Sequence, residues 1–135
     1  MSGRFVTALR IRRRALDQLA LAIAGERRRS DQLAAAGEAL RDCRMAERRL
    51  ASSSPFDPDR WFAVTAARLD DLAAEKELSG ERLAGLRAAA AEARARLSLL
   101  EDADHAARVA EQRRRDKAKQ DALDDRTGAS WSVSR

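Results

Sequence analysis

The sequence predicts an all-α fold: two long helices forming an antiparallel coiled-coil hairpin, the second helix longer than the first. Three observations carry that prediction. Ala (30), Arg (24) and Leu (16) make up most of the 135 residues, whereas Val, Ile and Thr together contribute 9. Strands need branched and aromatic side chains to fill a pleated surface, and this chain has few of either. An Ala-, Arg- and Leu-rich chain with 36% charged residues has the composition of long helices rather than of a thick globular core. One cluster of helix-breaking residues, Ala51-Ser52-Ser53-Ser54-Pro55-Phe56-Asp57-Pro58-Asp59, holds both prolines and divides the chain. Apolar residues recur at heptad spacing on either side of it.

The first helix is expected over residues 2–51. Phe5, Leu9, Leu16, Leu19, Ile23, Leu33 and Leu40 keep one register, which Arg12, Glu26, Ser30 and Gly37 interrupt. Cys43 and Leu50 continue it one position out of step. The connector spans 52–57, where the serines and Pro55 end the first helix. Asp57 suits an N-cap, with Pro58 at the first helical position and Asp59 in the first turn. The second helix then runs over 58–126. Its seam reads Phe62, Thr65, Leu69, Leu72, Lys76, Ser79, Leu83, Leu86, Ala90, Ala93, Leu97, Leu100, Asp104 and Ala107, mostly apolar through more than six heptads. Thr127-Gly128 suits a helix stop, leaving 127–135 as a disordered Ser-rich tail. At 1.5 Å per residue the helices span roughly 75 Å and 100 Å, lengths that need a lengthwise partner.

A short connector makes the helices antiparallel neighbours. Paired residue numbers then total about 109, setting Leu16 against Ala93, Leu19 against Ala90, Leu40 against Leu69 and Ser30 against Ser79. The same arithmetic exhausts the first helix near residue 107, where the seam also ends in Glu111, Arg114, Ala118 and Asp121. About 20 residues of the second helix are therefore expected to project beyond its partner. Dimerisation through the same seam competes with the hairpin; the prolines and serines favour a true turn.

Little in the sequence supports catalysis, and no cofactor is expected. His105 has Asp102 and Asp104 nearby but no serine or thiol at helical spacing to activate. Cys43 reads as a small buried hydrophobe, and no glycine pattern matches a phosphate loop. A single Cys and a single His exclude an internal disulfide and a zinc site. Gly37, Gly80 and Gly85 lie within helices, where two roles stand open: close helix approach or local bending. No apolar run is long enough to span a bilayer. Arg12 to Arg14 followed by Leu19 to Ala24 is too short and interrupted for a secretory signal, and a transit peptide is the weaker reading of the Arg-rich start.

Basic residues cluster at Arg10 with Arg12 to Arg14, at Arg27 to Arg29, at Arg48-Arg49, and at Arg113 to Arg115 with Lys117 and Lys119. The formal charge of +5 and pI near 10.5 make nucleic acid a candidate partner. The 22 acidic residues and the lack of aromatics among the basic runs argue against it. The middle clusters read as solvated helix faces. The terminal clusters are gathered by the hairpin at one end, where Arg forks suit carboxylates and carbonyls of a protein partner. Phe56, Trp61 and Phe62 cluster at the turn, as a staple for the connector or as a docking surface. Trp131, in the tail, is either a docking residue or disordered.

With these features the chain resembles the FliJ family of flagellar type III export proteins and its YscO-type injectisome counterparts. The resemblance covers nearly the whole chain to about residue 126. It rests on the hairpin of this length, on Arg60-Trp61 opening the second helix, and on the segment Arg113-Arg114-Arg115-Asp116-Lys117-Ala118-Lys119-Gln120-Asp121-Ala122-Leu123-Asp124-Asp125. It implies a non-enzymatic stalk, similar to the central shaft of rotary ATPases, that inserts its helix-terminal end into a hexameric export ATPase. The partners it implies are that ATPase, a membrane export gate and export chaperones. The location would be cytoplasmic, peripheral to the membrane through the gate only. Carried onto matching positions, the ATPase-facing residues are Arg10, Arg13, Arg14, Arg113, Arg114, Arg115, Lys117 and Lys119. Gate docking falls on the second helix after the Arg-Trp pair. There the register gives Ala67, Asp71 and Ala74, a weaker apolar patch than the family implies, and the assigned residues are Trp61, Val64 and Arg68. The alternative is a basic coiled coil that binds nucleic acid or serves as a scaffold.

Overall fold

A computed structural model describes residues 3–50 and 58–133, with side chains over 3–50 and 59–131. It contains two helices, α1 (Gly3–Leu50) and α2 (Pro58–Val133), packed against each other as an antiparallel hairpin, with α2 the longer. The expected connector, with Phe56 and the Asp57 cap, lies outside the described residues, as do Ser2 and Ala51. Two compact units can be distinguished: one joins Met1–Leu16 with Ala93–Arg135, and the other is Asp17–Glu92. Each is a pair of helix segments with a thin apolar seam.

In the unit built on residues 17–92, Leu72 and Ala90 are buried, with Thr65 and Ser79 in line with them at heptad positions. Leu33, Gly37 and Arg41 of α1 share a groove with Leu69, Leu72 and Lys76 of α2. These neighbours agree with a pairing total near 109. In the other unit Leu9 and Leu97 are buried, again with a polar seam residue, Asp104, which pairs with Arg108 at 3.0 Å. Asp104 keeps its place because Arg108 lies one turn on along the same helix and satisfies its carboxylate locally.

Two expectations are corrected, and one seam contact is added to those expected. Cys43 is exposed, not buried. The register of α1 continues with unbroken alternating steps of three and four, so the position after Leu40 falls on Arg44. Its Nη1 donates to the Phe62 carbonyl at 2.7 Å and to Thr65 Oγ1. Ser79 has a partner that the pairing total does not give: its hydroxyl donates to Glu26 Oε1 at 2.6 Å, because a Glu side chain reaches along the seam from a turn away. Finally, α2 does not stop at Thr127-Gly128. No glycine takes a positive φ, and Thr127 Oγ1 donates to the Leu123 carbonyl at 2.9 Å, so the helix passes through and places Trp131 on α2, 68% exposed.

Ser79 is fully buried and Glu26 is its partner. Glu26→Ala is expected to destabilise the hairpin by about 1–3 kcal/mol, since the Ser79 hydroxyl would lose its cross-helix bond. Urea unfolding of Glu26→Ala, Ser79→Ala and the double variant checks this: the double variant should be nearly as stable as Ser79→Ala alone. The glycines admit a parallel test. A Cβ at Gly80 or Gly85 would meet nothing within 4 Å, so close helix approach is not their role. Gly80→Ala and Gly85→Ala should each stabilise the fold by about 0.5–1 kcal/mol; a lowered melting temperature would mean that local bending at these positions matters.

Candidate partner-binding surfaces

Charge is unevenly divided between the two units. Residues 1–16 and 93–135 carry 15 Lys or Arg against 8 Asp or Glu, a formal +7, whereas residues 17–92 carry 12 against 14, a formal −2. The whole basic excess therefore belongs to the unit that contains both helix termini. Within it, α1 contributes five arginines and no carboxylate over residues 1–16. All eight cations assigned to ATPase binding fall in this unit, and all are exposed.

Register separates those eight into two groups. Arg10, Arg13 and Arg14 lie level with about residues 95–99 of α2, whereas Arg113 begins roughly 20 Å further along that helix. Beyond the pairing region every residue from Gln112 to Trp131 is exposed, as an unpartnered helix requires. There Glu111 draws Arg114 and, at 3.5 Å, Arg115 back along the helix surface. Gln112 and Gln120 donate to Asp116 and Asp124 at 2.9 and 3.1 Å, bonds one helical turn long. Such exposed local pairs contribute a few tenths of a kcal/mol and leave the side chains able to exchange partners.

The start of α1 joins this segment in an open groove of about 540 Å³. Gly3, Arg4 and Phe5 line one wall, and Asp104, Arg108, Glu111, Arg114 and Arg115 line the other. The Arg4 guanidinium lies 5.6 Å from the Phe5 ring centroid, within cation–π range. Arg4 and Arg108 were absent from the expected site, although the pairing total would have placed both beside its second cluster. The signal is present in the sequence, but isolated arginines stand out less than runs of adjacent ones.

The second surface lies in the other unit. In an antiparallel pair of right-handed helices, the residue immediately before a seam position projects to the same side on both helices. Trp61, Val64 and Arg68 precede Phe62, Thr65 and Leu69, and Cys43 precedes Arg44, so all four share one side. Val64 is 61% exposed. Trp61 is half-buried, edge-on to Phe62 with centroids 5.0 Å apart, and Arg68 approaches Glu75 at 3.7 Å. Phe62 instead turns toward α1, where Arg44 and Arg48 stand 5.3 and 5.8 Å from its ring. This aromatic pair thus serves packing through one member and leaves the edge of the other beside Val64. Ala67, Asp71 and Ala74 are exposed as well.

His105 is exposed. Among the described residues no group of His, Cys, Asp and Glu could hold a metal ion, and no helix is long and apolar enough to cross a membrane. Set against protein-family models, curated proteins and solved structures, the chain matches none.

Proposed function

We propose that this chain is a non-enzymatic stalk of a type III protein export apparatus, of FliJ or YscO type, that binds a hexameric export ATPase and couples it to the export gate. ATP chemistry belongs to the partner. The observation that supports this reading is the confinement of the basic excess to the unit holding the start of α1 and the end of α2, together with an exposed helical extension that carries five of the eight assigned cations. A projecting basic helix can enter a ring lined by carbonyls and carboxylates, where Arg forks pair with both. The Trp61–Val64 side of the other unit is then the surface for the gate, and export chaperones are further partners. Assembly and turnover of the partner ATPase, measured with and without this protein, test the reading; no change in either would remove it.

The same charge asymmetry favours a second reading, a coiled coil that binds nucleic acid through its basic unit. Phosphate contacts release counterions, so such binding falls steeply with salt at a slope set by the number of contacts. Failure to retain duplex or single strands at low salt would dismiss it. A plain scaffold would leave ATPase and nucleic acid alike unaffected.

A further inference from the structure

Among the exposed large apolar side chains of the basic unit are Ile11, 61% exposed, and Leu99, 70% exposed. They are not scattered. Ile11 immediately precedes the seam position at Arg12, and Leu99 immediately precedes Leu100, so both project to the same side of the helix pair. The pairing total near 109 also puts them at one level. Ala8 and Ala15, before Leu9 and Leu16, and Ala103, before Asp104, fall on that side too. Two branched walls over an alanine floor make a groove between parallel ridges, the shape into which a third helix packs. Arg4 precedes a seam position on the same side, and Arg14 stands on the outer edge of α1.

We infer that this groove is a docking site for an amphipathic helix with acidic flanks, supplied by a partner protein. The apolar face of that helix would cover Ile11 and Leu99, and its carboxylates would meet the arginines at the rim. A second copy of the chain fits poorly, because two units of formal charge +7 would repel. A lipid surface fits less well than a helix, since the apolar walls flank a floor of small residues instead of forming one protruding face. The inference is separable from the stalk reading: its test turns on Ile11 and Leu99, and of the eight cations assigned to the ATPase only Arg14 lies at this rim.

The test titrates the full chain with a synthetic helical peptide of about 18 residues, roughly five turns, bearing a leucine stripe flanked by glutamates. A scrambled peptide of the same composition is the control. The amphipathic peptide should bind about tenfold more tightly than the scramble, and Ile11→Ser with Leu99→Ser should erase that difference while leaving the scramble's weak binding and the helix content unchanged. Equal binding of the two peptides, or a preference that survives the double variant, overturns the inference. So does apolar-residue-dependent binding to anionic phosphatidylserine vesicles, or self-association in sedimentation, without a peptide preference: either would give the face a different occupant.

Discussion

Replacement of Arg113, Arg114 and Arg115 by glutamate is expected to weaken binding to the export ATPase by more than about tenfold, or 1.4 kcal/mol. The three reversals take the terminal unit's formal charge from +7 to +1, and with it most of the attraction for an acidic or carbonyl-lined ring. Electrostatic steering should fall as well, so the loss should appear in the association rate and shrink as salt is raised. These residues are exposed and lie beyond the region where α1 pairs, so folding is not expected to suffer. Unaltered affinity, with helix content intact, would remove all three from the binding surface. Isosteric glutamine at the same positions separates lost attraction from added repulsion, and should fall between wild type and the glutamate variant.

A comparable loss, in stability this time, is expected from Leu72→Ala. Leu72 is 5% exposed and shares its groove with Gly37, a residue with no side chain to fill space. Truncation would leave a gap that the opposing helix cannot close, with an expected cost of about 2–3 kcal/mol, near the low end for buried Leu→Ala because the groove admits water. For a seam with so few buried large side chains that is a large fraction of the total. Urea unfolding with helix content as the signal measures it. Gly37→Ala should be tolerated by contrast, since its Cβ would meet only the Arg41 guanidinium, at 3.8 Å. If Leu72→Ala cost no more than an exposed substitution such as Leu78→Ala, the seam would lie on another face of α2.

The pairing total was readable before any coordinates because it follows from counting: a short turn leaves one residue on each helix for every residue on the other. Arg44 was not readable. Its place in the seam is occupied by a guanidinium that bonds a carbonyl and a hydroxyl of the facing helix, whereas apolar counting turns to Cys43, the nearest hydrophobe. Glu26 interrupts the apolar count for the same reason, although it is the residue that satisfies Ser79. Apolar periodicity detects burial of hydrocarbon and is blind to burial by hydrogen bonding. The end of α2 is not legible at Thr127-Gly128, because Gly128 stops a helix in this way only where the chain turns into the left-handed region, and here it does not.

Composition, one Pro- and Ser-rich break and a heptad count were enough to determine that this chain forms two helices, that they lie antiparallel, and which of their positions meet. Those properties depend on local propensity and on spacing along the chain, both of which a sequence displays directly. Only the tertiary structure decided which polar residues close the seam and which exposed side chains share a side. The reason is that a side chain's direction depends on where its helix is pressed against the other, and a shift of one residue turns it through about 100°.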